Sequence, residues 1–313
     1  MKKARIIYNP TSGREAFKKQ LPEVLQKFEQ AGYETSCHAT TGEGDAIEAA
    51  KCASERGYDL IVAAGGDGTV NEVVNGLAQM PYRPTLGVIP VGTTNDFARA
   101  IGMPRDNILH AVDALLSGVK RKIDIGRVNE HYFINIAGGG RLTELTYEVP
   151  SKLKTAIGQL AYYLKGIEML PSIRPTEVEI EYDGKLFHGE VMLFLVSLTN
   201  SVGGFEKLAP DSQLNDGMFD LMILKKTNVA EFIRIASLAL RGEHIHDNHV
   251  IYTKANRVKV KNKDKMQLNL DGEYGGLLPG EFENLFQHIE VIMSPEKAKQ
   301  CAPITKEGSA EYL

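Results

Sequence analysis

The hydrophobic pattern of the first 120 residues switches repeatedly between a strand-like and a helix-like period. Residues 60–64 (LIVAA) and 85–90 (TLGVIP) are apolar runs of the kind found in parallel strands buried on both faces. Further strands are predicted at Arg5–Tyr8 and Tyr33–Ala39. Between the strands, apolar residues recur at three- and four-residue spacing, which is typical of amphipathic helices. This alternation predicts an α/β fold with a doubly wound, mostly parallel sheet.

Capping residues and a proline predict how the helices begin and whether they are straight. Asp45 and Asp106 each precede an apolar segment of helical period, so we expect both to be N-caps. Pro22 lies inside the first helical segment. Because proline lacks an amide hydrogen and its ring crowds the preceding turn, we expect it to restart or kink that helix.

Beyond Lys120 the pattern changes to short segments of alternating apolar and polar residues, which predict an antiparallel β-sandwich or barrel. Asp183-Gly184 separates two of these segments and is a favoured pair for a two-residue hairpin turn. Helical spacing interrupts the strands at Leu153–Ile167 and at Val229–Leu240. The predicted strands are 122–128, 132–137, 177–182, 185–198, 218–224, 257–261, 266–270 and 289–293.

These two patterns divide the chain into two predicted domains. The first covers residues 1–124, with a C-terminal segment of about 289–313 packing back on it, and the second covers residues 125–288. The tail from Pro295 is polar, so we expect it to be poorly ordered.

Composition narrows the class of protein. The chain has 313 residues, of which 43% are hydrophobic and 24% charged, as is usual for a globular protein with a sizeable core. A net charge of −4 argues against a dedicated nucleic-acid binder. The three cysteines are widely spaced, without a CxxC pair, and are expected to be free thiols in a reducing cytoplasm. No signal peptide or membrane-spanning run is visible, so any membrane contact is expected to be peripheral.

Three turns rich in glycine or asparagine follow predicted strands of the first domain. They are Asn9–Gly13, Gly65–Thr69 and Gly92–Asp96. Strand ends of an open α/β sheet form one edge, and glycine turns at helix N-termini suit phosphate groups. Each turn alone would be explained equally by a simple connection, but three together favour a phosphate crevice. Asp67, at the centre of one turn, indicates a bound cation, although neither a P-loop nor a GxGxxG motif is present.

Four motifs together resemble one known family. Residues 9–13 (NPTSG), 65–76 (GGDGTVNEVVNG), 92–99 (GTTNDFAR) and 271–273 (DGE) closely resemble the diacylglycerol kinase catalytic family, over nearly the whole chain. The resemblance is closest to the soluble diacylglycerol kinases of Gram-positive bacteria. It implies transfer of the γ-phosphoryl group of ATP to diacylglycerol with the help of Mg²⁺, in a nucleotide-binding first domain and a lipid-binding second domain.

The resemblance also implies roles for individual residues. Asp67 and Asp96 would act at the Mg²⁺–phosphate end of ATP, and Glu273 would be the general base that takes the hydroxyl proton. Asp271 is a like charge that would raise the pKa of Glu273. A plain hairpin turn is the alternative explanation of residues 271–273. The residues expected to bind ATP are Asn9, Pro10, Thr11, Ser12, Gly13, Thr40, Gly65, Gly66, Asp67, Gly68, Thr69, Val70, Asn71 and Thr93.

A structural Mg²⁺ is implied near Asp216. Its ligands would be the Asp216 carboxylate and the main-chain carbonyl groups of Gln213 and Met218, which any side chain permits. Relatives can carry an acid at position 215, where this chain has an asparagine. The alternative is a type I turn before a strand.

The segment Leu153–Ile167 is the candidate for contact with the inner membrane surface, on the cytoplasmic side. Lys152, Lys154 and Lys165 flank apolar residues there, a combination that suits an anionic bilayer. A helix packed on its own sheet would show the same pattern. A homodimer is possible, since the apolar strands of the second domain leave room for one.

Three other functions stay open at this point. The acceptor could be another lipid alcohol, such as a sphingoid base or phosphatidylglycerol. An NAD kinase shares the GGDGT turn, although residues 9–13 and 271–273 argue against it. A catalytically silent nucleotide-binding regulator is disfavoured because both Asp67 and Glu273 are present.

Overall fold

The computed structural model of the protein describes residues 1–140, 175–200, 207–263 and 265–301. Strands and helices alternate in its first 120 residues. The strands are β1 (Lys2–Tyr8), β2 (Tyr33–Ala39), β3 (Leu60–Gly65) and β4 (Thr85–Pro90). The helices are α1 (Ala16–Gln30), α2 (Asp45–Glu55), α3 (Asp67–Ala78), α4 (Asp96–Ala100) and α5 (Ile108–Leu116).

The four strands pair in parallel in the order β2-β1-β3-β4. Every residue of β3 and of β4 is buried, as their unbroken apolar runs require. Helix α1 packs on α5, and α2 packs on α3, so helices cover the sheet in two pairs. The predicted doubly wound, parallel-rich fold is confirmed.

Two predicted helix caps are wrong, and the predicted restart of a helix at Pro22 does not occur. Gly44, not Asp45, is the N-cap of α2, because the Asp45 carboxylate instead accepts hydrogen bonds from Thr41. Asn107, not Asp106, caps α5, with its side-chain oxygen accepting from the amides of Leu109 and His110. Helix α1 runs through Pro22 as one element.

The remaining described residues form mainly antiparallel strands around a second core. The strands are β5 (Val119–Val128), β6 (His131–Phe133), β7 (Ile136–Gly139), β8 (Thr176–Tyr182), β9 (Lys185–Ser197), β10 (Phe219–Lys225), β11 (Val250–Ala255), β12 (Arg257–Asn262), β13 (Gln267–Leu270), β14 (Glu273–Leu277) and β15 (Gly280–Met293). The helices are α6 (Val229–Ala239) and α7 (Pro295–Gln300).

The hairpin prediction for this part is confirmed, whereas one predicted strand is divided. Asp183 and Gly184 join β8 to β9 with φ values of 43° and 79°, the left-handed backbone that a two-residue turn needs. The strand predicted over 132–137 is instead β6 and β7, because β6 pairs with β5 while β7 pairs with β9 and β13. Strands β11 and β14 were not predicted.

Large aromatic side chains fill the core of the second part. Phe133, Phe194, Phe219 and Phe282 are fully buried, and the Phe133 and Phe219 rings stack with centroids 5.7 Å apart. Aromatic pairs of this kind add to the stabilisation that burial provides. These side chains come from four different strands, so they hold the antiparallel layers together.

Strand β15 joins the two parts of the fold. Its first half pairs with β12, and its last residues lie beside β4, with Val291 opposite Leu86 in parallel. Strand β5 pairs with β15 along most of its length and runs across the predicted boundary at residue 124. The prediction that the tail is disordered from Pro295 is wrong for its first turns, because Pro295–Gln300 is helical and Ala298 is buried.

The predicted membrane helix Leu153–Ile167 lies outside the described residues. Within the described ranges, no helix is long and apolar enough to cross a membrane.

Candidate active site

The three predicted phosphate turns lie side by side at one edge of the parallel sheet. The amide of Asn9 donates to the Ala64 carbonyl over 3.1 Å, which joins the end of β1 to the end of β3. The amide of Val91 donates to the Gly65 carbonyl over 2.8 Å, which joins β3 to the segment after β4. Since β1, β3 and β4 are adjacent parallel strands, their carboxyl ends form one continuous edge.

Each turn has a local reason for its residues. The Asn9 side chain accepts hydrogen bonds from the amide and the hydroxyl group of Thr11, which closes the first turn. Gly13 has φ of 57°, and a methyl group there would lie 2.7 Å from the Val91 carbonyl oxygen. Only glycine fits that position, because both the backbone conformation and the space exclude a side chain.

The second and third turns approach each other closely. A methyl group on Gly92 would lie 2.5 Å from the Gly66 α-carbon, so these two glycines let the chains touch. Asn95, with φ of 51°, closes the third turn by bonding both the amide and the carbonyl of Gly92 over 2.9 Å. The three turns and the N-terminus of α3 therefore lie together at one place on the sheet edge, which we call the phosphate crevice, because glycine turns beside a helix N-terminus suit phosphate oxygens.

Asp67 lies at the centre of this crevice as the first residue of α3. Its carboxylate accepts hydrogen bonds from the Thr94 hydroxyl over 2.8 Å and from the Phe97 amide over 3.3 Å. The pKa of Asp67 is raised to about 6, mainly by burial and to a smaller extent by the charge of the neighbouring Asp96. The two hydrogen-bond donors lower this pKa but do not cancel the rise. Asp96 is itself buried and lies 3.7 Å from an Arg99 nitrogen. Two acids at a phosphate crevice, Asp96 buried and Asp67 half-buried, would favour a bound cation.

The loop between β2 and α2 completes the crevice on the other side. The amide of Thr40 donates to the Tyr8 carbonyl over 2.9 Å, so Thr40 lies beside the first turn. The Glu72 carboxylate of α3 accepts from the Ala46 amide over 3.0 Å, which joins the first turn of α2, directly after this loop, to α3. Thr93, by contrast, is solvent-exposed at the tip of the third turn.

Asp271 lies in the turn between β13 and β14, where its carboxylate is enclosed by hydrogen-bond donors. It accepts from the amides of residues 134, 135 and 136 at 2.8–2.9 Å, and from the Asn71 side chain over 2.8 Å. Burial raises the pKa of Asp271, while these four donors oppose that rise. In this geometry Asp271 holds the turn to α3 and to the junction between β6 and β7.

Glu273 follows that turn as the first residue of β14 and is solvent-exposed. A methyl group on Gly68 would lie 3.3 Å from the Glu273 Oε1 atom. The carboxylate therefore lies against the first turn of α3, next to the phosphate crevice. Folding thus brings Glu273 and the GGDGT turn together although they lie far apart in the chain.

The residues around Asp216 form a separate polar cluster. The Asp216 carboxylate accepts from the Lys254 ammonium group over 2.7 Å and from the Met218 amide over 3.0 Å. The pKa of Asp124 is raised to about 6, mainly by burial and additionally by the negative charge of Asp216. In the part of the chain that the structure describes, no group of three or more histidine, cysteine, aspartate or glutamate side chains is arranged to hold a metal ion.

Two features of the site were absent from the sequence predictions. Thr94 and the Phe97 amide bind Asp67, and Asn75 bonds to the backbone of Tyr132. Asn75 follows Asn71 by four residues and so lies on the same face of α3, a spacing that could have indicated a shared role.

Known proteins resemble this chain over nearly its whole length. A family model described as the diacylglycerol kinase catalytic domain matches residues 3–128, and one described as the YegS C-terminal NAD kinase beta sandwich-like domain matches residues 145–293. A diacylglycerol kinase of Bacillus subtilis is 78% identical over 96% of this chain and 99% of its own length. One from Staphylococcus carnosus is 57% identical over 95% and 97%.

A solved structure of similar fold gives the same assignment. A crystal structure of a diacylglycerol kinase from Bacillus anthracis covers 94% of this chain and 98% of its own, with a TM-score of 0.81 and 28% identity. The phosphate crevice, the acid beside it and the extent of these matches lead to one conclusion: the chain belongs to the diacylglycerol kinase catalytic family.

Proposed function

We propose that the protein is an ATP-dependent diacylglycerol kinase that makes phosphatidic acid. The observation that carries this proposal is the position of the Glu273 carboxylate against Gly68, where a nucleophile and a bound phosphate would meet. In the reaction, the lipid hydroxyl oxygen forms a bond to the γ-phosphorus while the bond to the β–γ bridging oxygen breaks. The hydroxyl proton passes to Glu273, and ADP leaves.

The crevice residues are assigned to the nucleotide. Asn9–Gly13 and Gly65–Asn71, together with Thr40 and Thr93, would hold the phosphates and the rest of ATP, because the N-terminus of a helix beside glycine turns leaves N–H groups without partners inside the helix. Pre-positioning of this kind accounts for much of phosphoryl-transfer catalysis. The proposed lipid cleft lies between the two predicted domains. One domain is residues 1–124 together with 289–313, and the other is residues 125–288.

Asp67 and Asp96 are the residues we assign to Mg²⁺ at the phosphates. The fit rests on the raised pKa of Asp67, which burial and the nearby Asp96 produce and which a divalent cation would lower. Carboxylate oxygens are also the ligands that Mg²⁺ prefers. When bound, the ion would neutralise charge on the phosphate oxygens.

We further propose a structural Mg²⁺ held by Asp216 with the carbonyl groups of Gln213 and Met218. All three offer oxygen donors, and the adjacent buried Asp124 adds negative charge. Lys254 pairs with Asp216 in the structure, so the ion would compete with that ammonium group. We expect Mg²⁺ to raise the melting temperature less in Asp216→Asn than in the wild type; an equal rise would remove this site.

The lipid acceptor implies that the protein works at the cytoplasmic face of a membrane. We propose that it binds there peripherally through Lys152, Lys154 and Lys165, and that a homodimer is its working form. Lys165→Glu should weaken binding to anionic vesicles and turnover on them, whereas Lys299→Glu, at an exposed position of α7, should leave both unchanged. Equal binding by the two variants would refute the membrane patch, and a monomeric mass in solution would refute the dimer.

A lipid panel with labelled ATP and Mg²⁺ in mixed micelles tests the proposed reaction. Diacylglycerol should be phosphorylated in preference to a sphingoid base, phosphatidylglycerol or NAD. Glu273→Gln should reduce turnover by about 100-fold or more, as loss of general-base catalysis does. Glu281→Gln, an exposed acid on β15, is the matched control and should keep full activity. Full turnover by Glu273→Gln would refute the assigned base.

A further inference from the structure

Helix α3 carries two asparagines whose side chains reach the second part of the fold. Asn71 and Asn75 are one helical turn apart, so their side chains lie on the same face. The Asn75 side-chain nitrogen donates to the backbone carbonyl and the side-chain oxygen of Asn71, over 2.9 and 3.1 Å. The two amides therefore form one hydrogen-bonded pair, and neither can turn without disturbing the other.

The Asn75 side chain forms two hydrogen bonds with the backbone of Tyr132. Its Nδ2 donates to the Tyr132 carbonyl over 2.9 Å, and its Oδ1 accepts from the Tyr132 amide over 3.0 Å. Tyr132 lies in β6, which pairs with β5 and with no other described strand. A strand edge presents unpaired N–H and C=O groups, and the Asn75 amide satisfies both as a neighbouring strand would.

Further hydrogen bonds connect the residues that follow Tyr132 to the turn that precedes Glu273. The amides of residues 134–136, which follow β6 directly, donate to the Asp271 carboxylate. Asn71 donates to the same carboxylate over 2.8 Å. Asp271 is two residues before Glu273, so α3, the β6–β7 junction and the Asp271 turn form one bonded unit.

We propose that Asn75 is a positioning residue that sets the distance between Glu273 and the nucleotide turn. The first residues of α3 border the phosphate crevice, and the same rigid helix holds the base-bearing turn through Asn71 and Asn75. Proton abstraction depends steeply on this distance, since a misplacement of about 1 Å can lower a rate on the order of 100-fold. This inference rests on the proposed kinase function and assigns Asn75 no contact with substrate.

Asn75→Ala tests the inference through the separation of kcat from KM. Alanine favours a helix, so α3 should persist while both bonds to Tyr132 are lost. We expect kcat to fall by about tenfold or more and KM for ATP to stay within about twofold, because the crevice itself is intact. Asn107→Ala, which removes the cap of α5 and none of the hydrogen bonds of Asn75 or Tyr132, should lower the melting temperature without changing kcat.

A double variant shows whether Asn75 acts through Glu273. If it does, Asn75→Ala should lower the turnover of Glu273→Gln by less than about twofold, because the group that it positions is already lost. An unchanged kcat for Asn75→Ala, or the same fractional loss in both backgrounds, would overturn the inference. Full turnover by Glu273→Gln alone would overturn the proposed base instead, so the two failures are distinguishable.

A second substitution covers the case in which Asn75→Ala does not fold. Asn75→Asp has the same shape and still accepts from the Tyr132 amide, but it places an oxygen opposite the Tyr132 carbonyl. We expect the same result for this variant: kcat should fall while KM for ATP stays constant. A wild-type kcat would again overturn the inference.

Discussion

Replacing Asp67 by asparagine should stabilise the protein while abolishing its activity. Burial, followed by repulsion from Asp96, raises the pKa of Asp67 from its usual 3.8 to about 6. Asparagine has nearly the same shape, so its oxygen can still accept from the Phe97 amide and its nitrogen can donate to the Thr94 hydroxyl, which can reorient. The substitution therefore removes mainly the charge.

The size and sign of the effect follow from proton linkage. The folded protein binds the Asp67 proton more tightly than the unfolded chain does, so this group makes folding less favourable as the pH rises from about 4 to about 6. Each pKa unit corresponds to 1.36 kcal/mol, so the full rise corresponds to about 3 kcal/mol at neutral pH. We expect Asp67→Asn to gain about 1–3 kcal/mol at about pH 7.5 and almost nothing near pH 4.

Urea unfolding at these two pH values measures the effect. The buffer should contain EDTA and no nucleotide, because a ligand bound at Asp67 would stabilise the wild type selectively. Asp113→Asn is the control: Asp113 forms a surface ion pair with Lys27, and its loss should change stability by less than about 0.5 kcal/mol at either pH. A loss of stability in Asp67→Asn, or a gain that is equal at both pH values, would refute the linkage argument.

Three further substitutions test the packing around the site and the cores. Gly68→Ala should lower turnover several-fold without unfolding the protein, because the added methyl group would lie 3.3 Å from Glu273 Oε1. Wild-type turnover would show that Gly68 and Glu273 do not meet in the working enzyme. Gly76→Ala should lower the melting temperature although alanine favours helices, since its methyl group would lie 2.5 Å from the Ile47 carbonyl oxygen of α2; a raised melting temperature would contradict this packing. Phe133→Ala should reduce the free energy of unfolding by about 3–5 kcal/mol in a urea titration, because it empties the centre of the second core; a change below about 1 kcal/mol would contradict that placement.

Local patterns in the sequence predicted the elements whose structure depends on their own residues. The apolar runs of β3 and β4 are buried along their whole length, and Asp183-Gly184 forms the expected hairpin turn. The meeting of the three turns was also predictable, because glycine and asparagine follow strands there and neighbouring parallel strands end at one edge. The identity of the lipid acceptor was not legible in this way and depended on resemblance to a family.

Predictions that depended on a choice between neighbouring polar groups were less accurate. Asp45 and Asp106 each lie one position away from the actual cap, because Thr41 binds the Asp45 carboxylate and Asn107 caps α5. The strand predicted over 132–137 is broken, since its two halves pair with different partners. Hydrophobic periodicity carries no information about such partners.

The sequence by itself determined most of the strands and helices and the position of the three turns rich in glycine or asparagine, because those depend on period, glycine and the burial of apolar side chains. Only the tertiary structure decided how the turns are completed. The Thr94 hydroxyl donates to the Asp67 carboxylate, and the Asn75 side chain bonds to the backbone of Tyr132. The Asp271 turn places Glu273 against Gly68. Hydrogen bonds between residues far apart in the chain have no local signature, and they arise only when the strands and helices pack together.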